Sequence, residues 1–273
     1  MIEEAIGGTG YVLGHSLREL ARIEKQAGFF AEATREGLLR AGLEPGMRVL
    51  DLGCGVGDVS LAAAEIVGAS GQVTGIDISP NALVVARARA QQRGVAAHFE
   101  QGSIERFPHF GAFDAVIGRF ILVHFPDPVA TLRQVAQQLR PGTTLIFMEM
   151  DMDRAEASAP FPLFVEHVGN IIKMYRAMGL SPDMGVKLYA TYRAAGLFPE
   201  LAGFTRVGHS GEMAGFEFLA ESVRSLMPAL EKLGIASADE IDIDTLSERL
   251  ATEAAATDPA VFYPRFVVAW ARA

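Results

Sequence analysis

Val49-Leu50-Asp51-Leu52-Gly53-Cys54-Gly55-Val56-Gly57-Asp58 decides the fold: a short apolar run ends in three glycines at alternate positions, and an acidic residue follows. A continuous apolar run over residues 47–52 reads as a strand buried in a parallel sheet, and the glycines read as the tight turn from which a helix departs. That helix covers residues 58–67 and stops at Gly68. A second strand is expected over 73–77. Ser79 then supplies a hydroxyl cap, Pro80 occupies the first helical position and Gly94 ends the helix, the usual asymmetry of helix ends. Arg87, Arg89 and Arg93 lie towards its negative end, where cations are favourable. Further strands are expected over 97–100, 113–118 and 144–149, with a helix opened by Asp127-Pro128 and closed near Pro141-Gly142. Strands alternating with helices imply a mostly parallel sheet with helices on both faces and right-handed crossovers.

The regularity is lost on either side. Ile6-Gly7-Gly8-Thr9-Gly10-Tyr11 is a glycine-rich arm, and Ser16-Leu17-Arg18-Glu19 has the spacing of a capping box ahead of an amphipathic helix that runs towards Gly42. After Asp153, helices are expected over 160–178, 184–195, 216–233 and 238–256, with strands over 204–209 and 266–271. The expected organisation is an N-terminal arm and helix (1–45), a cofactor-binding core (46–153), a helical lid (154–200 and 211–260) and the last sheet strands (201–210 and 261–273).

Half of the 273 residues are hydrophobic and 21% are charged, enough for a packed core and too apolar for a disordered chain. With 24 Lys and Arg against 33 Asp and Glu, the formal charge is −9, which argues against a nucleic-acid partner. No apolar run reaches the roughly 18 residues of a membrane-spanning helix. Met1-Ile2-Glu3-Glu4 lacks the basic start of a signal peptide. The single cysteine, Cys54, makes neither an internal disulfide nor a multi-cysteine zinc site. The expectation is a cytoplasmic protein with no membrane attachment and no metal, for which the N-terminal helix and the apolar lid are compatible with a homodimer.

Two cofactors use a glycine turn between strand and helix. A dinucleotide sets its pyrophosphate on the helix N-terminus and needs G-x-G-x-x-G; here the third glycine position is Asp58, whose carboxylate is expected to repel a diphosphate. S-adenosylmethionine carries a sulfonium and an ammonium, for which Asp51 is useful through a water or backbone network. Asp77, at the end of the second strand, can accept both ribose hydroxyls of either cofactor. Capping by Asp58 is the plainer reading of that residue.

These motifs resemble those of the class I S-adenosylmethionine-dependent methyltransferases, in the small-molecule branch. Asp51-Leu52-Gly53-Cys54-Gly55-Val56-Gly57 resembles the family's first motif, and Gly75-Ile76-Asp77-Ile78-Ser79-Pro80 its second. Phe113-Asp114-Ala115-Val116 with Leu122-Val123-His124-Phe125-Pro126-Asp127-Pro128 resembles the fourth, and Leu139-Arg140-Pro141-Gly142-Thr143 the next. The resemblance covers residues 47–150 and implies a Rossmann-like fold. It also implies a transferase (EC 2.1.1) that moves a methyl group from S-adenosylmethionine to a metabolite, of the kind found in secondary metabolism, and leaves S-adenosylhomocysteine. Gly53, Gly55, Gly57, Asp77, Ile78, Gly118 and Arg119 are the cofactor contacts it implies. Where the family has Gly-Asp after the third strand, this chain has Gly102-Ser103, so Ser103 and the Ile104 amide become the adenine contacts.

Methyl transfer is an in-line displacement in which positioning does much of the work. His124, after the fourth strand, is the candidate general base; the plain reading is a histidine that fixes the loop before Pro126. Tyr11 is placed to close over the sulfonium, or to anchor the arm as an ordinary aromatic, and His15 shares that arm. Glu149, Asp151 and Asp153 alternate; a solvated acidic loop is the favoured reading over a metal or base site. In the lid, Phe164, His167, Met174 and Tyr175 belong to an apolar stripe, either core or the wall for a hydrophobic or aromatic C-, O- or N-acceptor. A non-methylating S-adenosylmethionine binder on the same fold, such as a cyclase, and a nicotinamide-dependent dehydrogenase are the alternatives.

Overall fold

The computed structural model describes the backbone of residues 17–273 and the side chains of residues 28–273. In chain order the elements are α1 (Leu17–Arg40), β1 (Arg48–Leu52), α2 (Asp58–Val67), β2 (Gln72–Asp77), α3 (Pro80–Arg93), β3 (Ala97–Gln101), β4 (Ala115–Arg119), α4 (Pro128–Ala136) and β5 (Thr144–Asp151). There follow β6 (Glu156–Ala157), α5 (Pro162–Ala177), α6 (Met184–Ala194), β7 (Glu200–Phe204), β8 (Val207–His209), α7 (Met213–Lys232), α8 (Ala238–Ile241), α9 (Leu246–Thr257), β9 (Ala260–Phe262) and β10 (Arg265–Arg272).

The chain divides into two units. The first holds Phe30–Met150, Met184–Phe204 and Phe266–Ala273, and is built on a seven-stranded sheet of order β3-β2-β1-β4-β5-β10-β7. Strands β1 to β5 pair in parallel, and β7 pairs antiparallel with β10. The order reverses direction between β1 and β4. This is the point in an open α/β sheet where a crevice forms beyond the carboxyl ends of the strands. Leu52 pairs with Ile76 on one side and Gly118 on the other, so Gly53, Asp77 and Gly118 lie at one edge. Val49, Leu50, Leu52, Val116, Ile117 and Leu145 to Met148 are fully buried. Each such side chain contributes about 1.5–3 kcal/mol by leaving water.

Local sequence rules hold through most of this unit. The Ser79 hydroxyl accepts the Ala82 N–H, Pro80 opens α3, and Gly94 closes it in the left-handed region. Arg87 and Arg89, expected to serve the end of α3, instead bond the carbonyls of Phe99 and Val56 at 2.7 and 2.8 Å. Helix α6, expected in the lid, belongs to the sheet unit. Its Tyr192 is fully buried, packs edge-on against Phe147, and its hydroxyl lies 3.1 Å from the Leu145 carbonyl and 3.0 Å from that of Ala269. Arg133 of α4 donates to the Ala194 carbonyl at 2.7 Å, tying α4 to α6.

The second unit comprises Asp151–Asp183 and Thr205–Arg265 together with residues 17–29. Helices α5, α7, α8 and α9 share it with a three-stranded antiparallel sheet of order β6-β9-β8. That sheet corrects the sequence-based organisation in two places. Residues 207–209 and 260–262 are strands of the small sheet, not of the large one, and the lid is not wholly helical. The helix expected over 238–256 is broken: Asp242 adopts a left-handed conformation (φ 49°), and Arg249 donates to the Ile241 and Asp242 carbonyls across the break. A chain of aromatic contacts runs through this unit from Phe218 to Phe29, Tyr263, Phe164, Phe161 and Phe216.

Tyr192→Phe removes the hydroxyl that links β5 to β10. Urea denaturation is expected to show a loss of about 1 kcal/mol, the net worth of one neutral hydrogen bond, with no change in the fold.

Candidate active site

The glycine loop has the geometry its sequence requires. Gly53 and Gly55 have φ of 64° and 52°, in the left-handed region that side-chain-bearing residues rarely adopt. A Cβ on Gly53 would lie 2.1 Å from Ile121 Cδ1, whereas one on Gly55 would meet nothing within 4 Å. The loop is therefore packed from beneath at Gly53 and open at Gly55, so a ligand can approach the backbone there. Gly57 occupies the N-cap of α2 in the left-handed region, with no side chain to cap the helix.

Asp77 fixes this loop. Its Oδ2 accepts the Gly55 N–H and its Oδ1 accepts the Ser79 N–H, both at 2.8 Å. A carboxylate oxygen has two lone pairs, so each retains an acceptor site. Ile78, next in sequence, is 40% exposed, an apolar surface at the end of β2. The Gly102 N–H donates to the Asp77 carbonyl at 3.0 Å, bringing Ser103 and the buried Ile104 to the same edge. Cys54 points the other way, into a core of Leu61, Leu83, Ala86, Ala90 and Phe99. Burial pushes its thiol pKa up, and it is no nucleophile. A cradle open at Gly55, an acceptor carboxylate and an exposed apolar platform suit a nucleoside with ribose hydroxyls.

The protein family described as "Methyltransferase domain" matches residues 43–183, just over half of the chain. The chain belongs to this family. Over 109 residues it is 39% identical to the ubiquinone biosynthesis O-methyltransferase of Xanthomonas campestris pv. campestris, covering 39% of this chain and 44% of that protein. Over 127 residues it is 35% identical to the arsenite methyltransferase of Aquipseudomonas alcaligenes, covering 43% of this chain and 37% of that one. The matches thus span less than half the length of either relative. The crystal structure of the YcgJ protein of Bacillus subtilis shares the fold with a TM-score of 0.55 at 17% identity, covering 89% of this chain and 99% of that one.

Around this methyltransferase loop the charges are arranged differently from the sequence expectation. Asp58 is the first residue of α2. It pairs with Arg89 at 2.6 Å and lies 3.6 Å from Arg119. Its charge is met by two guanidinium groups, so repulsion of a diphosphate by Asp58 does not follow. Arg119 also donates to the Thr34 hydroxyl at 3.0 Å. Burial lowers the Arg119 pKa, while Asp58 and Asp51 favour its charged form. Asp51 is buried and accepts the Ser60 hydroxyl at 2.6 Å. Burial pushes its carboxyl up to about 7 against that bond.

His124 closes a 3-10 turn (Leu122–His124) after β4, at the same edge. Burial lowers its pKa to about 4, so it stays neutral at pH 7 and holds a proton poorly. As a base it is weaker than the ordinary imidazole expected from the sequence. Glu149, Asp151 and Asp153 do not form a solvated acidic loop. Glu149 is buried and accepts backbone N–H groups of Ile121, Leu122 and Val123. Burial pushes its carboxyl up to about 8 in spite of these bonds. Asp151 is buried beside Arg265, and Asp153 pairs with Arg176. Sequence reasoning missed Glu149 as a site residue. Its signal was a carboxylate within the apolar run of β5, which cannot stay there without partners.

Phe164, His167 and Met174 are buried in the second unit, and Tyr175 is half-buried. Neither ring nitrogen of His167 has a hydrogen-bond partner among the described residues. Tyr11 and His15 lie outside the described residues.

Because folding favours neutral His124, its contribution to stability is complete above pH 6.5 and is lost as pH falls towards 4. His124→Phe is expected to flatten this acid limb. In urea titrations at pH 7 and pH 4.5, wild type should lose on the order of 1–3 kcal/mol more than the variant; equal losses would remove the assignment.

Proposed function

We propose that the chain transfers a methyl group from S-adenosylmethionine to a small hydrophobic or aromatic acceptor by in-line displacement. The observation that carries this reading is the glycine loop with Asp77 at the reversal between β1 and β4: left-handed Gly53 and Gly55, open space at Gly55, and a carboxylate with lone pairs to spare. Asp77 would accept the ribose hydroxyls and Ile78 would cover one adenine face, with Ser103 and the Ile104 amide at the adenine edge. Gly118 and Arg119, at the end of β4, would meet the methionine end, and Tyr11 the sulfonium. The cofactor, when bound, supplies an already activated methyl group, so the protein's task is to bind, orient and exclude water.

His124 suits an orienting role. A neutral imidazole with a pKa near 4 accepts a hydrogen bond but does not retain a proton at neutral pH, so the acceptor's nucleophilic atom must lose any proton to solvent before the site closes. An acceptor whose nucleophilic atom is readily deprotonated or carries no proton fits this environment best. The apolar and aromatic side chains of the second unit, Phe164 and Met174 with Tyr175, favour a hydrophobic acceptor, and unpartnered His167 offers one polar contact within them. The relatives, an O-methyltransferase of ubiquinone biosynthesis and an arsenite methyltransferase, support a small acceptor.

The test has two arms. Calorimetry is expected to show binding of S-adenosylmethionine, weakened at least tenfold in Asp77→Ala. Incubation with methyl-labelled cofactor and a panel of phenols, aromatic amines and arsenite is expected to label an apolar acceptor. Binding of NADH with none of S-adenosylmethionine would overturn the cofactor assignment, and binding without any label transfer would favour a non-methylating role.

A further inference from the structure

The turn after β4 is held by one buried side chain. Glu149 Oε1 accepts the N–H of Ile121 at 3.0 Å, of Leu122 at 2.7 Å and of Val123 at 3.4 Å. The amides that open a helical turn have no partner within it, and here three in succession converge on a single oxygen. The turn needs such an anchor, because Phe120 adopts φ 55°, a region that a bulky aromatic rarely enters. The Phe120 N–H is bonded to the Met148 carbonyl at 2.9 Å. Neighbouring residues of β5 therefore hold both the strained residue and the turn that follows it.

The anchoring decides where Ile121 lands. Its Cδ1 lies 2.1 Å from the place a Cβ of Gly53 would take, and its Cγ2 lies 2.8 Å from that of Gly118. One side chain thus packs against Gly53, directly after β1, and Gly118 of β4, the two strands between which the sheet order reverses. We propose that Glu149 is a positioning residue for methyl transfer: by holding residues 120–124 it sets the end of β4 against the glycine loop in the arrangement that receives the amino-acid part of the cofactor. The inference rests on the cofactor reading above. Glu149 touches neither donor nor acceptor and acts through the turn.

Two nucleosides separate this role from general support of the fold. S-adenosylhomocysteine carries the amino-acid part, and 5′-methylthioadenosine lacks it. Glu149→Met fills a similar volume without an acceptor oxygen. By calorimetry it should bind S-adenosylhomocysteine at least tenfold more weakly than wild type while 5′-methylthioadenosine changes less than twofold. Glu149→Gln, which keeps an oxygen for the three amides, should stay within threefold of wild type for both, and should retain the slow hydrogen exchange of Ile121, Leu122 and Val123 that the Met variant loses. If the Met variant does not fold, Glu149→Asp, with its oxygens one methylene short, should show the same split at three- to tenfold. Equal weakening of both nucleosides, or unchanged S-adenosylhomocysteine binding, overturns the role of Glu149. A wild-type protein that binds neither nucleoside overturns the cofactor reading itself, a result distinct from binding that the variants leave unaltered.

Discussion

Both oxygens of Asp77 are bonded to backbone N–H groups, Oδ2 to Gly55 and Oδ1 to Ser79. This pair of bonds joins the glycine loop after β1 to the cap of α3 after β2. Bonds to an ionised acceptor are about twice as strong as neutral ones. They hold a loop whose glycines cost conformational entropy to order. The loop is secured on its other side by Cys54, packed with Leu61, Leu83 and Phe99, and by the Cys54 N–H on the Ile76 carbonyl at 2.9 Å. Its shape is thus set by contacts within the protein, and each oxygen of Asp77 keeps a lone pair.

The carboxyl edge of the sheet buries several charges and deals with each differently. Asp58 is paired with Arg89 and lies near Arg119. Asp51 is held by the Ser60 hydroxyl and backbone and feels the charge of Arg119, yet burial raises its carboxyl to about 7. Glu149 has only amides, and its carboxyl rises to about 8. The contrast follows from the cost of burying a charge: two guanidinium groups in ion-pair range compensate Asp58, whereas hydrogen-bond dipoles, joined at Asp51 by the field of Arg119, do so in part and leave the pKa raised. It also alters the argument for the cofactor. With Asp58 neutralised, discrimination against a diphosphate rests on position 58 carrying a side chain where a dinucleotide turn needs a third glycine, not on a free negative charge.

The sheet was legible wherever one residue type had a single physical reading. Three glycines at alternate positions, Ser79-Pro80 and Gly94 each specify a backbone state, and β1, β2 and α3 fall where these residues put them. Strands β6, β8 and β9 are two or three residues long, too short for alternation to register, and they are assembled by pairing between distant segments. The break between α8 and α9 depends on Arg249 capturing the Ile241 carbonyl, an interaction that helical periodicity does not reveal. Assignment of α6 to the sheet turns on the reach of the Tyr192 hydroxyl to β5 and β10. In the site, residue identities were readable and their protonation was not, since the position of His124 in the chain carries no measure of its burial.

The departures from local rules themselves point to the site. Among the described residues, three non-glycines have positive φ. Two are aspartates, Asp242 and Asp258, at helix ends of the second unit, where a short polar side chain tolerates the left-handed region. The third is Phe120, which has no such excuse. It lies directly after β4, beside the turn that Glu149 anchors and within five residues of His124. Strain, buried carboxyls with raised pKa and a histidine held neutral gather at the ends of β1, β4 and β5, whereas the helices behind them obey propensity and capping. Natural sequences break local rules chiefly where function demands it, so this clustering points to the same edge as the proposed cofactor loop by a route that does not use the glycine motif. The two routes meet at Gly53, where Ile121, placed by Glu149, packs against the loop that Asp77 holds.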